Sequence, residues 1–293
     1  MALLVSQYGV NGLLVGGVYA LLAVGVVFIY RAIRVFNFAV GEMLVFGAFI
    51  TWSCIVTLHL PFLLALLIAI LCSIGLGLLI ERLLMRPLIG QPILSSIMAT
   101  LGLSVFLRGA MTFVWGTDQV SFPYKIIPGK PLILKGVIVS DQLLWGFVLG
   151  LFIFVLLIGF FEHGKIGLGM RTTAEDHQLA QATGINVKRV FAITWCVAAA
   201  VASLGGIILA ARMGLSVFST PLVAFKVFPA ILFGGLDSVL GAVIGGLVVG
   251  ILENLAGGLI DPKIAEITPY IILLLVLMIR PEGLFGLKRI ERV

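Results

Sequence analysis

Apolar residues run along this chain in long blocks, and polar residues arrive in short clusters between them. A helix needs about 20 mostly apolar residues to cross a bilayer, and many of the blocks reach that length. No Asp, Glu, Lys, Arg or His occurs in the first 30 residues, which predicts a span near 10–30. Between Met43 and Ile80 the four common charged types are again absent, but His59-Leu60-Pro61 interrupts. Two spans are predicted there, near 37–57 and 61–82, joined by a tight turn at the proline. Further blocks predict spans near 93–115, 142–161, 190–211, 239–260 and 264–281. The stretch 116–141 holds Asp118, Lys125, Pro128, Lys130, Pro131 and Lys135 and reads as an exposed loop.

Two segments break the pattern. "STPLVAFKVFPAILFGGLDS" (219–238) combines two prolines, a lysine, a Gly-Gly pair and an aspartate with high hydrophobic density. Broken backbone at membrane depth survives only when buried in protein or lining a water-filled cavity, and half-helices at a translocation path are one use of it. A plain kinked packing helix with an interfacial lysine is the other reading. The second segment, "GKIGLGMRTTAEDHQLAQATGINVKRV" (164–190), is polar yet has helix punctuation. Thr172-x-x-Glu175 fits a capping box, Glu175 and Asp176 suit the first turn of a helix, and Gly184 suits a left-handed C-terminal cap. The spacing predicts a helix over 173–183, about 16 Å long. Alone in water so short a helix is marginal, and Ala174, Ala180 and Ala182 would let another surface approach closely. The alternative is a solvated loop helix.

Composition decides the solvent. Of 293 residues, 61% are hydrophobic and only 11% charged, and mean hydropathy is +1.24. Soluble domains are about 45–50% apolar and about 25% charged, so lipid must cover this surface. The net charge of +6 fits cytoplasmic loops better than nucleic acid, since no basic run interleaved with aromatics is present. Cys54, Cys72 and Cys196 each lie inside an apolar run without metal spacing and read as packing residues. No basic residue precedes the first block, whereas Arg31 and Arg34 follow it, the reverse of a cleavable signal. Gly241/Gly245 and Gly246/Gly250 recur at four-residue spacing, which lets helices pack closely within the chain.

With the N-terminus outside and nine passes, Arg31, Arg34, Arg82, Arg86, Lys165, Arg171, Lys188, Arg189, Arg280, Lys288, Arg289 and Arg292 face the cytoplasm. These are 12 of the 19 basic residues, in keeping with the positive-inside rule. The expected fold is all-α, a polytopic integral membrane protein of about nine passes, with a broken segment and a short cytoplasmic helix. Eight passes would follow if 215–236 dips and returns. The polar segment 164–190 is then cytoplasmic.

Enzyme chemistry finds little support. Gly159-Phe-Phe-Glu-His-Gly164-Lys165 matches seven positions of a phosphate-binding loop, but Ile166 stands where Ser or Thr must bind magnesium. His59, His163 and His177 are scattered, and no metal cluster or Ser/His/Asp arrangement stands out. Ionisable residues at membrane depth are functional candidates. Glu42, Lys226 and Asp237 qualify, each with an interfacial alternative. Arg108, seven residues from Trp115, reads as an anchor near the outer boundary. The turn Asn37–Glu42 and the broken segment are expected to line a path. Its candidate residues are Asn37, Phe38, Gly41, Glu42, Thr100, Pro229, Gly234 and Gly235.

"VNGLLVGGVYALLAVGVVFIYRAIRVFNFAVGEMLVFGAFI" (10–50), "TLGLSVFLRG" (100–109), "GMRTTAEDHQLAQATGINVKRV" (169–190), "FPAILFGGLDSVLGAVIGGLVVG" (228–250) and "RPEGLFG" (280–286) carry a resemblance. Together they resemble the LivH-type permease subunit of branched-chain amino acid importers of the ATP-binding-cassette class. The resemblance spans nearly the whole chain and implies one transmembrane permease domain over 1–293, in a bacterial inner membrane. It implies a second permease subunit, two ATPase subunits that hold ATP and Mg2+, and a periplasmic substrate-binding protein, with no cofactor in this chain. It also makes 164–190 the coupling loop, docked into an ATPase through Thr172, Thr173, Ala174, Glu175, Asp176, Gln178, Ala180, Gln181 and Gly184. Members often carry His where this chain has Val40, which leaves another amino acid, an amide or urea open as cargo. An ion-coupled transporter without an ATPase is the competing class, and a membrane enzyme a distant third.

Overall fold

Lipid offers no partner to backbone N–H and C=O groups, and a helix satisfies them internally; the apolar blocks accordingly fold as helices. The computed structural model describes residues 1–124, 131–134, 136–175 and 177–286. Among them, eleven α-helices follow in order: α1 (Ala2–Ile33), α2 (Val40–Val56), α3 (Phe62–Ile80), α4 (Ile93–Trp115), α5 (Asp141–His163), α6 (Lys165–Glu175), α7 (His177–Ala182), α8 (Val187–Met213), α9 (Leu222–Gly234), α10 (Val239–Leu259) and α11 (Pro262–Ile279). Seven are long and apolar enough to cross a membrane: α1, α3 with its extension to Leu88, α4, α5, α8, α10 and α11. The protein is a polytopic, all-α membrane protein.

Each of the nine predicted spans falls on a helix, but two come out short. α2 has 17 residues and α9 has 13, about 26 and 20 Å against a hydrocarbon core of about 30 Å. Residues 34–39 are not helical, so the second span begins later than predicted. The broken segment is also placed differently. α9 runs without a break through Pro229, and the irregular backbone lies on either side, at 214–221 and 235–238. The stretch 116–141 is more than loop. Strands β1 (Leu132–Leu134) and β2 (Val137–Val139) pair antiparallel, and Val120 bridges Leu215. Lys125, Pro128, Lys130, Lys135, Lys288, Arg289 and Arg292 lie outside the described residues.

The contacts divide the chain into two units. One comprises Met1–Val27, Ile127–Leu151 and Phe225–Val293. Here the glycines of α10 serve two neighbours. Gly246 and Gly250 face α1, where a Cβ on Gly16 would lie 2.8 Å from the Gly246 carbonyl oxygen. Gly241 and Gly245 face Gly234 and Ala230 of α9. The four-residue spacing thus serves packing within the chain, as predicted. Residues after α11 fold back on α9, with the Leu284 and Phe285 N–H groups donating to the Phe233 and Gly234 carbonyls at 2.9 and 3.1 Å.

The other unit comprises Phe28–Ile126 and Phe152–Ala224, and α8 packs there against both α2 and α3. Trp195 of α8 is fully buried. A Cβ on Gly77 of α3 would lie 2.6 Å from the Trp195 carbonyl oxygen, so the two helices meet backbone to backbone at this glycine. α3 continues into a π-helical turn at Glu81–Met85 and a 3-10 turn at Arg86–Leu88. Buried Glu81 takes two parallel bonds there from Arg86, at 2.9 and 2.7 Å. The five-residue spacing of that pair fits a π turn, which carries one residue more per hydrogen-bonded ring than an α turn.

Candidate functional site

The turn between α1 and α2 is built by one asparagine. Asn37 is fully buried, its Oδ1 accepts from the Ala39 N–H at 3.0 Å, and its Nδ2 donates to Met43 Sδ at 3.3 Å. An Asn side chain bonding the backbone two residues on mimics a turn and here starts α2. Gly41 lies against Pro221, and a Cβ on it would come within 2.7 Å of that carbonyl oxygen. The Thr100 hydroxyl from α4 is shared between the Phe36 carbonyl at 3.3 Å and the Ile97 carbonyl at 2.9 Å. It thereby supports irregular backbone that lipid could not.

Glu42 follows in the first turn of α2, where the helix dipole favours a carboxylate. Its partner is Arg108 of α4, whose Nη2 donates to Glu42 Oε1 at 2.6 Å. Glu42 is 3% exposed and Arg108 33%. A second tie joins the far ends of the same helices. Trp115 Nε1 donates to Ser53 Oγ at 2.7 Å, and Phe49 stacks on Trp115 with centroids 5.0 Å apart. Counted back from that tie, Glu42 is about 16 Å away along α2 and Arg108 about 10 Å away along α4. The pair thus lies about two to three helical turns from that tie. Arg108, read from sequence as an anchor, is paired with a buried carboxylate rather than standing alone. A charge within a span costs up to about 2.5–3.5 kcal/mol on insertion scales, and the facing carboxylate offsets this cost.

The other unit holds a second pair. Lys226 Nζ of α9 donates to Glu253 Oε1 of α10 at 2.7 Å, with Lys226 24% exposed and Glu253 9%. The lysine has a carboxylate partner rather than a snorkelling position. Glu253 was not singled out from sequence. It is the single charged residue in the block 239–260, so the rule that drew attention to Glu42 would have found it.

Pro229, Gly234 and Gly235 are buried, but the glycines have packing roles. A Cβ on Gly234 would collide with the Gly241 carbonyl. Gly235 has φ +97° and lies 2.5 Å from the Gly286 amide nitrogen, measured from a built Cβ. Gly234 thus lets α9 pack on α10, and Gly235 seats the segment 280–286. Phe38 is half-buried, with its ring 5.0 Å from that of Phe36. Asp237 lies in the turn 235–238.

The polar segment is helical, but not as the capping pattern predicted. α6 starts at Lys165, so Thr172 and Thr173 are interior positions. The Thr172 hydroxyl donates backward to the Leu168 and Gly169 carbonyls at 3.0 and 3.1 Å and caps no helix start. Buried Met170 and Thr173 show why: they lie on one face of α6 and hold it against the unit. The C-terminal expectation fits the geometry. Gly184 has φ +85°, its N–H donates to the Gln181 carbonyl at 3.0 Å, and the Ile185 N–H to the Ala180 carbonyl at 3.0 Å. These two bonds form a Schellman motif.

Burial re-sorts the residues expected to meet a partner. Ala180 is 2% exposed and Thr173 0%, whereas Leu168 is 56% and Leu179 67% exposed. Gln181 and Gly184 are exposed and Ala174 half-buried. Asp176 lies outside the described residues, as do the side chains of Glu175 and Gln178. Ala174 lines a cleft of about 300 Å3 with Arg34, Met85, Gln91, Ser96 and Phe191. This joins α6 to the ends of α1 and α3 and the start of α4.

The profile of the family described as the permease component of branched-chain amino acid transport systems matches residues 8–277. The chain belongs to this family. Its relatives include the high-affinity branched-chain amino acid transport system permease protein BraD of Pseudomonas aeruginosa, 30% identical over 98% of this chain and 97% of its own. LivH of Escherichia coli, of the same description, is 30% identical over 97% of this chain and 96% of its own. The probable branched-chain amino acid permease LivH of Methanocaldococcus jannaschii is 27% identical over 93% and 90%. The chain is thus a membrane permease component, and the charge pairs inside its helices are features of a transport protein. The family resemblance read from the motifs is confirmed along almost the full length.

Proposed function

We propose that this chain forms part of the translocation pathway of an ATP-driven importer for branched-chain amino acids. The full-length similarity to permeases named for high-affinity transport of these amino acids carries the reading. In the proposed assembly a second permease subunit, forming a heterodimer, lies beside this chain. Two ATPase subunits bind ATP and Mg2+ at the cytoplasmic face, and a periplasmic binding protein delivers cargo. The chain crosses the bacterial inner membrane nine times, with its N-terminus outside and its C-terminus inside, as the distribution of basic residues favours.

The segment 164–190 then meets an ATPase through its exposed side, chiefly Leu168, Leu179 and Gln181. Met170, Thr173 and Ala180 anchor the segment to its own unit. Because α6 and α7 are fixed from behind, movement of the ATPases is passed to α5 and α8 instead of being absorbed by a loose loop. The irregular turn at Asn37–Glu42 lies on the cargo route, with Thr100 supporting it.

The test is uptake in cells that lack this gene. Loss of labelled leucine, isoleucine and valine uptake, restored by the intact gene, is the expected result. Unchanged uptake of all three, with loss of amide or urea uptake, contradicts the proposed cargo.

A further inference from the structure

We propose that Glu42 and Arg108 receive the charged head of an α-amino acid zwitterion, their mutual contact opening as the cargo enters. This deepens the functional reading above and rests on it.

Two arginine–glutamate pairs among the described residues of this unit are built differently. Arg86 engages both oxygens of Glu81 through Nε and Nη2, the two-pronged geometry of a closed structural pair. Arg108 reaches Glu42 through Nη2 alone, and its buried Nε–H has no acceptor among the described residues. An arginine fork is suited to grip a carboxylate through two parallel bonds, and this one is half used. The Arg108 side chain is also not sealed, being 33% exposed. Within a membrane-spanning helix an exposed charge facing hydrocarbon is unfavourable, so a water-lined route or a polar ligand is the environment it fits.

Charge balance then selects the ligand. A zwitterion offers its carboxylate to Arg108 and its ammonium to Glu42, and the site stays neutral overall before and after the exchange. A fatty acid or an amine would satisfy one member and leave the other buried without a partner, which is strongly disfavoured. The surroundings suit an apolar side chain. Leu101 and Val105, seven and three residues before Arg108, lie on the same face of α4 and are 39% and 70% exposed. Glu42 is held in place from behind by the Asn37 turn and by Gly41 against Pro221, so opening falls to the Arg108 side chain.

The experiment compares the intact transport system with Arg108→Lys and with Glu42→Gln/Arg108→Gln. Lysine keeps the positive charge and loses the fork, and the double variant removes both charges together, leaving neither unpaired. Both are expected to insert and assemble at wild-type levels with unchanged thermal midpoints. Leucine uptake should fall at least about tenfold in each, the scale of one charge-assisted hydrogen bond. In nanodiscs, millimolar leucine should raise the midpoint of the wild-type permease. Leucinamide and 4-methylpentanoate, each with one of the two charges, should not, and leucine should not shift the double variant. The proposal is overturned by wild-type leucine uptake in the double variant, by no leucine shift in the wild type, or by an equal shift with either analogue. Failed assembly of the double variant also overturns it, making the pair an assembly contact. If the wild-type system imports no amino acid, the functional reading itself falls and takes this proposal with it.

Discussion

Lys226 of α9 and Glu253 of α10 are tied by a 2.7 Å ion pair, on the side of the α9–α10 hairpin away from its turn. The turn end is closed by backbone packing, Gly234 on Gly241 and Ala230 on Gly245. The pair therefore fixes the open end of a hairpin whose first helix has only 13 residues.

Breaking that pair on one side should be costly. Lys226→Met leaves the Glu253 carboxylate buried without its cation, and removing one partner of a buried pair costs about 3–5 kcal/mol. Partial exposure of the lysine places the expected loss at the low end. Lys226→Met/Glu253→Gln should recover most of it. Thermal unfolding of the purified permease distinguishes the two variants, and equal losses would mean that the pair contributes through packing alone.

Glycine replacements should divide by what a new side chain meets. Gly250→Leu drives a side chain into the backbone of Gly16, and overpacking of a tight contact costs about 1–3 kcal/mol or more, so folded yield should drop. Gly102 of α4 has nothing within 4 Å of a built Cβ, and Gly102→Leu should leave the yield of folded chain unchanged. Size-exclusion profiles in detergent report both outcomes.

Much of this was legible in the sequence for a simple reason. Apolar block length and proline position are properties of single segments, and they located the seven helices long enough to span, the two shorter apolar helices α2 and α9, and the start of α3 after Pro61. The close packing of Gly246 and Gly250 was legible in the same way. Pairing was not. Glu42 and Arg108 are 66 residues apart, and no local pattern shows that α2 and α4 are neighbours. Thr172 fits a capping box locally, but the buried face formed by Met170 and Thr173 belongs to a helix that already starts at Lys165. Glu81 and Arg86 escaped notice because their five-residue spacing has no meaning in an α-helix and acquires one only in the π turn.

The polar segment should respond to substitution according to burial. Ala180→Arg forces a charge into a site that is 2% exposed and should unfold α7 even in the permease alone, visible as new protease cleavage near 177–184. Leu179→Glu should leave that cleavage pattern unchanged and weaken copurification of ATPase subunits. Thr172→Ala, which removes only a backward bond to the helix carbonyls, should cost under about 0.5 kcal/mol, since such bonds give little helix stability. Gly184→Ala must adopt a left-handed φ and should cost about 1–2 kcal/mol locally. Intact copurification in Leu179→Glu would remove this surface from the ATPase interface.

The most direct measurement is leucine accumulation in proteoliposomes that hold this chain with its second permease subunit and ATPases, supplied with the binding protein outside and ATP within. The account predicts leucine accumulation against its gradient that needs both ATP and the binding protein and persists when ion gradients are collapsed. Accumulation that follows an ion gradient and proceeds without ATP would contradict it.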